Sequence, residues 1–171
     1  MREIKFRAKP DKAYFFESDN VPTTDGFVFG TPDTRMLNVP GAEKWRKGHE
    51  MVDQPSIVAM TRDGWPCSVA VQEETIGEFS GLQDKTGRDI YEGDIVECVS
   101  WNEYFTNPAT GEVMQPFRRK MYVDFRKGGF KMVEPMPEPM KDNEWDIICN
   151  GDIEIIGNIY DNPELIKVKE V

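Results

Sequence analysis

The amino-acid sequence predicts a mainly β protein. Apolar residues recur in short alternating runs, and 14 glycines and 12 prolines supply turns between them. Hardly any stretch places its apolar residues at the spacing of an amphipathic helix. With 171 residues, the chain is long enough for one domain or two small ones. We predict two regions, residues 1–78 and residues 79–171.

The first region is predicted to be an N-terminal β extension with an irregular insertion. Ile4, Phe6 and Ala8 alternate with charged residues, which indicates a strand with one face in water. Further strands are predicted at Gly26–Gly30, Ser56–Met60 and Cys67–Val71. At about residues 31–56, three prolines and two glycines interrupt every regular pattern, so we interpret this segment as a long insertion.

The second region is predicted to hold most of the strands. In chain order they are residues 94–101, Phe117–Phe125, 130–134, Trp145–Cys149 and Asp152–Ile159. Arg126–Gly129 turns the second of these strands back onto the third. In that hairpin, Val123 and Phe125 share one face, and Phe130 and Met132 join them from the opposite strand.

Two glycine turns open this region, in the segment "SGLQDKTGRDIYEGDIV" (residues 80–96). Gly87 has the place of the left-handed residue in a hairpin loop, and Gly93 lies at a corner where a larger residue would clash. Asp94 can accept hydrogen bonds from nearby turn amides. Such a sharp turn before a β-branched strand is common in small SH3-like barrels. We therefore interpret Gly87, Gly93 and Asp94 as structural and predict an SH3-type barrel core in the C-terminal half.

The alternative for these turns is a nest of glycine amides that binds an anion. A phosphate-binding loop would place a Lys-Ser or Lys-Thr pair beside the glycines in the arrangement that binds nucleotide phosphates. The segment lacks that arrangement, which favours the structural interpretation.

The composition predicts an acidic protein of the cytoplasm. Lysine and arginine number 21 against 31 aspartates and glutamates, so the formal net charge is −10. Such a chain is repelled from phosphate backbones and anionic lipid unless it carries a local basic patch. The opening "MREIKFRAKP" does not resemble a signal peptide, and no apolar run approaches the roughly 20 residues of a membrane span, so we expect no membrane partner.

The sequence offers no organised catalytic or metal-binding constellation. His49 is the only histidine and lies in the irregular insertion, far from any nucleophile motif. Cys67, Cys98 and Cys149 are widely separated, which fits reduced thiols better than a disulfide framework or a zinc site. Close carboxylate pairs are expected by chance among 31 acidic residues. We predict no catalytic residue, no cofactor and no metal.

One stretch, "FRRKMYVDFRKGGFK" (residues 117–131), departs from the acidic average. Its basic residues and one tyrosine form the predicted binding patch: Arg118, Arg119, Lys120, Tyr122, Arg126, Lys127 and Lys131. On a hairpin Lys120, Tyr122 and Arg126 share one face, and a basic face with a stacking ring suits RNA or single-stranded nucleic acid. Two alternatives are a solvated edge hairpin whose lysines discourage strand addition, and a patch that docks on an acidic face of another copy. The acidic total favours docking over nucleic acid.

Four blocks of the sequence occur in a defined order: "MREIKFRA" (residues 1–8), "GFVFG" (26–30), "TIGEFSGLQDKTGRDIYEGDIV" (75–96) and "IEIIGNIYDNPEL" (153–165). Together they resemble the signature blocks of the YopX family of phage and prophage proteins. The resemblance implies an SH3-type barrel core and an origin in a phage or an integrated element. It implies no activity and no catalytic residue.

The function expected from these observations is protein binding without catalysis. The partner is either a host factor or another copy of the chain, in which case the protein is a homo-oligomer. The alternative is an accessory protein that binds nucleic acid through residues 117–131.

Overall fold

The structure, a computed structural model, describes residues 4–12, 20–32, 55–99, 118–138, 140–147 and 153–167. These residues form a mainly β protein, as predicted, with two short 3-10 helices. Neither helix has the length or the apolar character of a membrane span. The chain divides into two compact units, Met1–Phe79 and Ser80–Val171.

The first unit contains an antiparallel arrangement with the strand order β4-β3-β2-β1. The strands are β1 (Phe6–Ala8), β2 (Val28–Pro32), β3 (Ser56–Met60) and β4 (Pro66–Ala70). A 3-10 helix at Glu73–Thr75 leads into β5 (Gly77–Gln83), whose first two residues pair with β1. Alternate residues of each strand point to one face, where apolar side chains pack around Ile57 and Val28.

The second unit contains an antiparallel sheet with the strand order β10-β9-β8-β7-β11. Its strands are β7 (Asp94–Val99), β8 (Arg118–Arg126), β9 (Gly129–Glu134), β10 (Asn143–Asp146) and β11 (Ile153–Asn158). They follow β6 (Asp89–Tyr91), which is hydrogen-bonded to β5. A second 3-10 helix, Pro163–Ile166, contacts β8.

The central strands of this sheet bury apolar side chains on both faces. Val96 lies opposite Met121 on one face, and both are buried. Ile95 and Val133 flank Tyr122 on the other face and are also buried. Burial on both faces accounts for the apolar residues at consecutive positions in β7.

The predicted hairpin faces are confirmed by the register of β8 and β9. Val123 lies opposite Met132, and Phe125 lies opposite Phe130 with its ring centroid 5.1 Å away in an edge-to-face contact. The turn has two residues, Lys127 and Gly128, and both have positive φ. Positive φ at both positions is the backbone of a type I′ turn, which matches the twist of the strands it joins.

Several predicted boundaries are wrong. The irregular insertion does not cover all of residues 31–56, because Thr31 and Pro32 complete β2 and pair with β3, where Pro32 lies opposite Ile57. The strand predicted at Trp145–Cys149 instead occupies Asn143–Asp146, since pairing with β9 already starts at Asn143. Parts of the predictions lie outside the described residues, namely positions 1–3, 33–54 with His49, 100–101, 117, 148–149 with Cys149, and 152.

The described ladders form two antiparallel sheets. Within them, β10 and β11 lie at the two edges of the five-stranded sheet, which is therefore open in this part of the chain. The closed SH3-type barrel stays a prediction. The predicted division after residue 78 also stays a prediction; that position lies inside β5.

Candidate functional site

The first glycine turn is built around the carboxylate of Asp84. Its Oδ1 accepts hydrogen bonds from the Thr86 N–H (2.8 Å), the Thr86 hydroxyl (2.6 Å) and the Arg88 N–H (3.0 Å). Its Oδ2 accepts from Arg88 Nε (3.2 Å) and from the N–H of Ile155 on β11 (3.2 Å). The Asp84 side chain is 0% exposed. These five donors surround a buried negative charge as a backbone nest surrounds a bound anion.

Two opposing effects set the pKa of Asp84. Burial raises it, because surroundings of low polarity disfavour the charged form. The hydrogen bonds from Thr86, Arg88 and Ile155 stabilise the carboxylate more strongly and hold the pKa well below its usual range. Asp84 is therefore a permanent anion at neutral pH.

The same turn is attached to the outer edge of β11. The Lys85 N–H donates to the Ile153 carbonyl (2.9 Å), and Arg88 Nη2 donates to the Ile155 carbonyl. An ion pair between Lys85 Nζ and Glu154 Oε2 (2.5 Å) adds a side-chain contact. Together with the bond from Ile155 to Asp84, these contacts join the third sequence block to the fourth.

The second glycine turn is equally enclosed by protein groups. Gly93 donates its N–H to the Val123 carbonyl (2.8 Å) and accepts from the Ile159 N–H (2.9 Å). The buried Asp94 accepts a hydrogen bond from the Tyr91 N–H (2.8 Å). Gly93 has φ +82°, and a Cβ there would lie 2.9 Å from the ring of Tyr160.

The donors that an anion nest would use in these turns are thus bonded to Asp84, to Asp94 or to backbone carbonyls. Gly87 follows this rule as well, since its N–H donates to the Asp84 carbonyl (2.9 Å). The structural role of Gly87, Gly93 and Asp94 stays a prediction, and these contacts are its support.

Sequence reasoning singled out Asp94 and passed over Asp84 and Asn158. Asn158 accepts hydrogen bonds from the N–H groups of Tyr160 (3.0 Å) and Asp161 (2.9 Å), so it organises the turn after β11. The available signal was the tendency of Asp and Asn to bond to backbone amides two or more residues further along.

The predicted binding patch on β8 and β9 is largely paired with carboxylates of the same sheet. Arg118 Nη1 lies 2.6 Å from Glu97 Oε2 on β7, and Arg119 Nη1 lies 3.1 Å from Glu134 Oε2 on β9. The remaining pairs are Lys127 with Glu144 and Lys131 with Asp146. Lys120 is exposed and has no ion pair with any described residue.

Arg126 is the most heavily bonded cation of this patch. Its Nε donates to Asp124 Oδ2 (2.6 Å), its Nη1 donates to Glu144 Oε1 (3.2 Å), and Asp142 Oδ2 lies 3.7 Å away. Its Nη2 donates to the hydroxyl of Tyr122 (2.7 Å). The hydrogen bond that Arg126 donates to Asp124 is the largest effect that raises the pKa of Arg126, so the guanidinium stays charged. The ring predicted to stack on a base is therefore already in contact with an arginine.

The patch and its partners are balanced in charge. Among the described residues, six carboxylates pair with five cations of the patch, and Lys120, which has no such pair, brings the cations to six. The carboxylates are Glu97, Asp124, Glu134, Asp142, Glu144 and Asp146. The fold thus brings carboxylates from other parts of the sequence beside the basic residues of the hairpin. The local positive charge seen in the sequence is not a net positive surface.

Among the described residues, the carboxylates and thiols do not converge on a shared metal site. Asp142, Glu144 and Asp146 bind the cations of the hairpin, and Cys67 and Cys98 are half-buried free thiols. Burial raises the pKa of the Cys98 thiol. Across the described ranges, no group of three or more His, Cys, Asp and Glu side chains could hold a metal ion.

Two large exposed apolar side chains of the first unit lie at the tip of the β3–β4 hairpin, and a third, Ile4, is 64% exposed ahead of β1. Trp65 is 73% exposed and Met60 is 54% exposed. The tip is held in place, because the Thr61 N–H donates to the Trp65 carbonyl (2.8 Å) and Arg62 donates its N–H to Asn20 (2.9 Å). Sequence reasoning did not select the residues of this tip.

Comparison with known proteins identifies the family. The family model described as YopX protein matches residues 36–167, well over half of the chain. The chain belongs to the YopX family. Two of the four blocks that carry the resemblance, residues 75–96 and 153–165, lie inside the matched range, whereas residues 1–8 and 26–30 lie outside it.

A solved structure is also similar to this YopX family member. The crystal structure of protein EF1440 from Enterococcus faecalis has a TM-score of 0.40 and 19% sequence identity, over 98% of this chain and 100% of that chain. Among curated proteins, none matches this sequence.

Proposed function

We propose that this YopX family protein is a non-enzymatic, phage- or prophage-encoded protein that works by binding another protein in the host cytoplasm. The partner is a host factor or a further copy of the chain. The observation that carries the proposal is the tip of the β3–β4 hairpin, where Trp65 and Met60 are mostly exposed. Tryptophan and methionine are enriched in protein interfaces, and a few buried aromatic residues supply much of the binding energy there.

The charge balance of the β8–β9 hairpin supports a protein partner over a polyanion. Binding to a phosphate backbone gains from counterion release in proportion to the phosphates that cations neutralise, and cations already paired with carboxylates must first give up those partners. A surface of mixed charges instead selects a partner with a complementary pattern and adds to the specificity and rate of association.

The test combines sedimentation of the purified protein with capture of partners from a lysate of the bacterial host. Trp65→Ser removes the exposed indole, and Met140→Ser is the matched control because Met140 is exposed in the other unit. We expect wild type and Met140→Ser to capture the same protein or to self-associate equally, and Trp65→Ser to lose that interaction. A strictly monomeric wild type that retains no host protein would contradict the proposal.

Nucleic-acid binding is the second candidate function, through the predicted patch on residues 117–131. It is supported by Lys120, which is exposed without an ion pair among described residues, and by Lys127, whose side chain is 76% exposed. Binding would then weaken steeply with salt, and Arg119→Ala combined with Lys120→Ala would reduce the slope. Absence of binding to single strands at low salt would eliminate this candidate.

We also propose that the second unit is an SH3-type barrel. Four strands in a meander, β7 to β10, with the fifth strand returning beside the first, have the strand order of such a barrel. Because the outer edge of β11 is bonded to the turn Asp84–Arg88, closure would place β10 beside that turn, and contacts between the amide protons of β10 and of the turn in a nuclear magnetic resonance spectrum would test it. The absence of such contacts would contradict closure.

A further inference from the structure

The outer edge of β11 is occupied by a turn and not by a strand. β11 has one neighbouring strand, β7, in the five-stranded sheet. Its Ile155 N–H donates to Asp84 Oδ2 (3.2 Å), its Ile155 carbonyl accepts from Arg88 Nη2, and its Ile153 carbonyl accepts from the Lys85 N–H (2.9 Å). Three backbone groups that a further strand would use are therefore bonded to the turn Asp84–Arg88.

An edge strand with unbonded N–H and carbonyl groups is a template for pairing with another chain. Native proteins protect such edges with charges, bulges or covering loops. We infer that the turn Asp84–Arg88 is a guard on the edge of β11, and that without this guard β11 pairs antiparallel with β11 of a second copy.

The second copy is the occupant because β11 is complementary to itself. Ile155 directs both its N–H and its carbonyl to the outer edge, as a residue does in a hydrogen-bonded antiparallel pair. A two-fold axis at Ile155 places it opposite its own copy, where the two residues exchange both bonds. In that register Glu154 lies opposite Ile156, so no like charges meet directly.

The guard is closed in the native protein because Asp84 is fixed by five hydrogen bonds and its side chain is 0% exposed. Any self-association of the native protein therefore uses a surface other than the edge of β11. The inference stands apart from the proposed function, which rests on the β3–β4 tip.

The test uses Asp84→Ser in the full chain. A serine hydroxyl bonds to turn amides two residues further along, but it is too short to reach Ile155. We expect a monomer–dimer equilibrium in sedimentation velocity, tighter than any wild-type self-association by about tenfold or more. In hydrogen exchange, the Ile155 amide should exchange faster than in wild type at low protein concentration and regain protection at high concentration.

A second substitution identifies the surface. Asp84→Ser combined with Ile155→Pro removes the outward N–H and should abolish the dimer, and failure to do so overturns the inference. If Asp84→Ser does not fold, Arg88→Ala decides, because it frees the Ile155 carbonyl and Arg88 is half exposed. A folded Asp84→Ser or, in that case, Arg88→Ala that self-associates no more than wild type also overturns it.

Discussion

The glycine turns and the basic hairpin were both candidate binding sites in the sequence, and the protein fills both with its own groups. In the first turn the donors converge on one buried carboxylate, Asp84. On the hairpin the cations are spread over several carboxylates that are not fully buried; their side-chain exposure runs from 19% at Glu97 to 74% at Asp146. In both regions the charged groups are bonded to other groups of the protein, but Asp84 is fully buried and the hairpin carboxylates are not.

The difference in burial predicts how much stability is lost when the charges of each region are disturbed. A buried charge with hydrogen bonds on both oxygens is costly to disturb, because its donors lose their partner and water cannot replace it. Exposed ion pairs contribute little, since water and salt compete with them. This difference supports the prediction that the turns are structural, and it suits the proposal that a protein partner exchanges ion pairs at the hairpin.

The largest expected effect is the loss of the Asp84 charge. Asp84→Asn keeps the volume but turns an N–H donor towards the Ile155 N–H or the Thr86 N–H, and we expect a loss of about 3–5 kcal/mol in the free energy of unfolding. Asp146→Asn is the matched control, with an expected loss below about 1 kcal/mol. Urea denaturation measures the free energy of unfolding of both variants. Equal losses would contradict the claim that the buried turn is more sensitive than the hairpin.

The two glycines of the turns should respond unequally to alanine. Gly93→Ala adds left-handed strain and a methyl group 2.9 Å from Tyr160, for an expected loss of about 3 kcal/mol. Gly87→Ala at φ +86° has open space for the methyl group, so only the backbone cost of about 1 kcal/mol is expected. Thermal unfolding of both variants checks the order, and a larger loss at Gly87 would be inconsistent with the close packing at the second turn.

Acid should weaken the turn. The pKa of Asp84 is depressed in the folded protein, so its stabilisation is complete above its usual value of 3.8 and is lost as the pH falls below it. The difference in the free energy of unfolding between wild type and Asp84→Asn should therefore shrink by about 2 kcal/mol as the pH falls to about 2.5. Denaturation series at several pH values measure this difference, and a constant difference would show that Asp84 is not selectively stabilised as an anion.

The smallest expected effect is a gain at the hairpin turn. Lys127 has φ +55° at the first position of a type I′ turn, where asparagine is preferred. Lys127→Asn should stabilise the protein by about 0.5 kcal/mol even though its ion pair with Glu144 is lost. A clear loss in thermal unfolding would show that the ion pair outweighs the backbone strain.

The local sequence pattern predicted the structural features that depend only on residues close together in the chain. The alternation in "SIVAM" and the turn in "RKGG" were sufficient for β3 and for the β8–β9 hairpin, because strand faces and two-residue turns are set within a few positions. The bounds of β10 were wrong because its start is fixed by pairing of Asn143 with Glu134, which the local sequence does not encode.

The charge balance of the hairpin could not be predicted for the same reason. Arg118 meets Glu97 and Arg126 meets Glu144 only because the strand order brings β7 and β10 beside the hairpin. Asp84 and Ile155 are 71 positions apart, so the central contact of the first turn is equally invisible in the turn's own sequence.

Titration of the Asp84 side-chain carboxyl carbon by nuclear magnetic resonance tests most directly whether this turn encloses its own anion. We expect its chemical shift to keep the value of a carboxylate down to about pH 2.5. A midpoint for Asp84 near 3.8 would mean that the five donors do not hold it, and the turn would again be open to an external ligand.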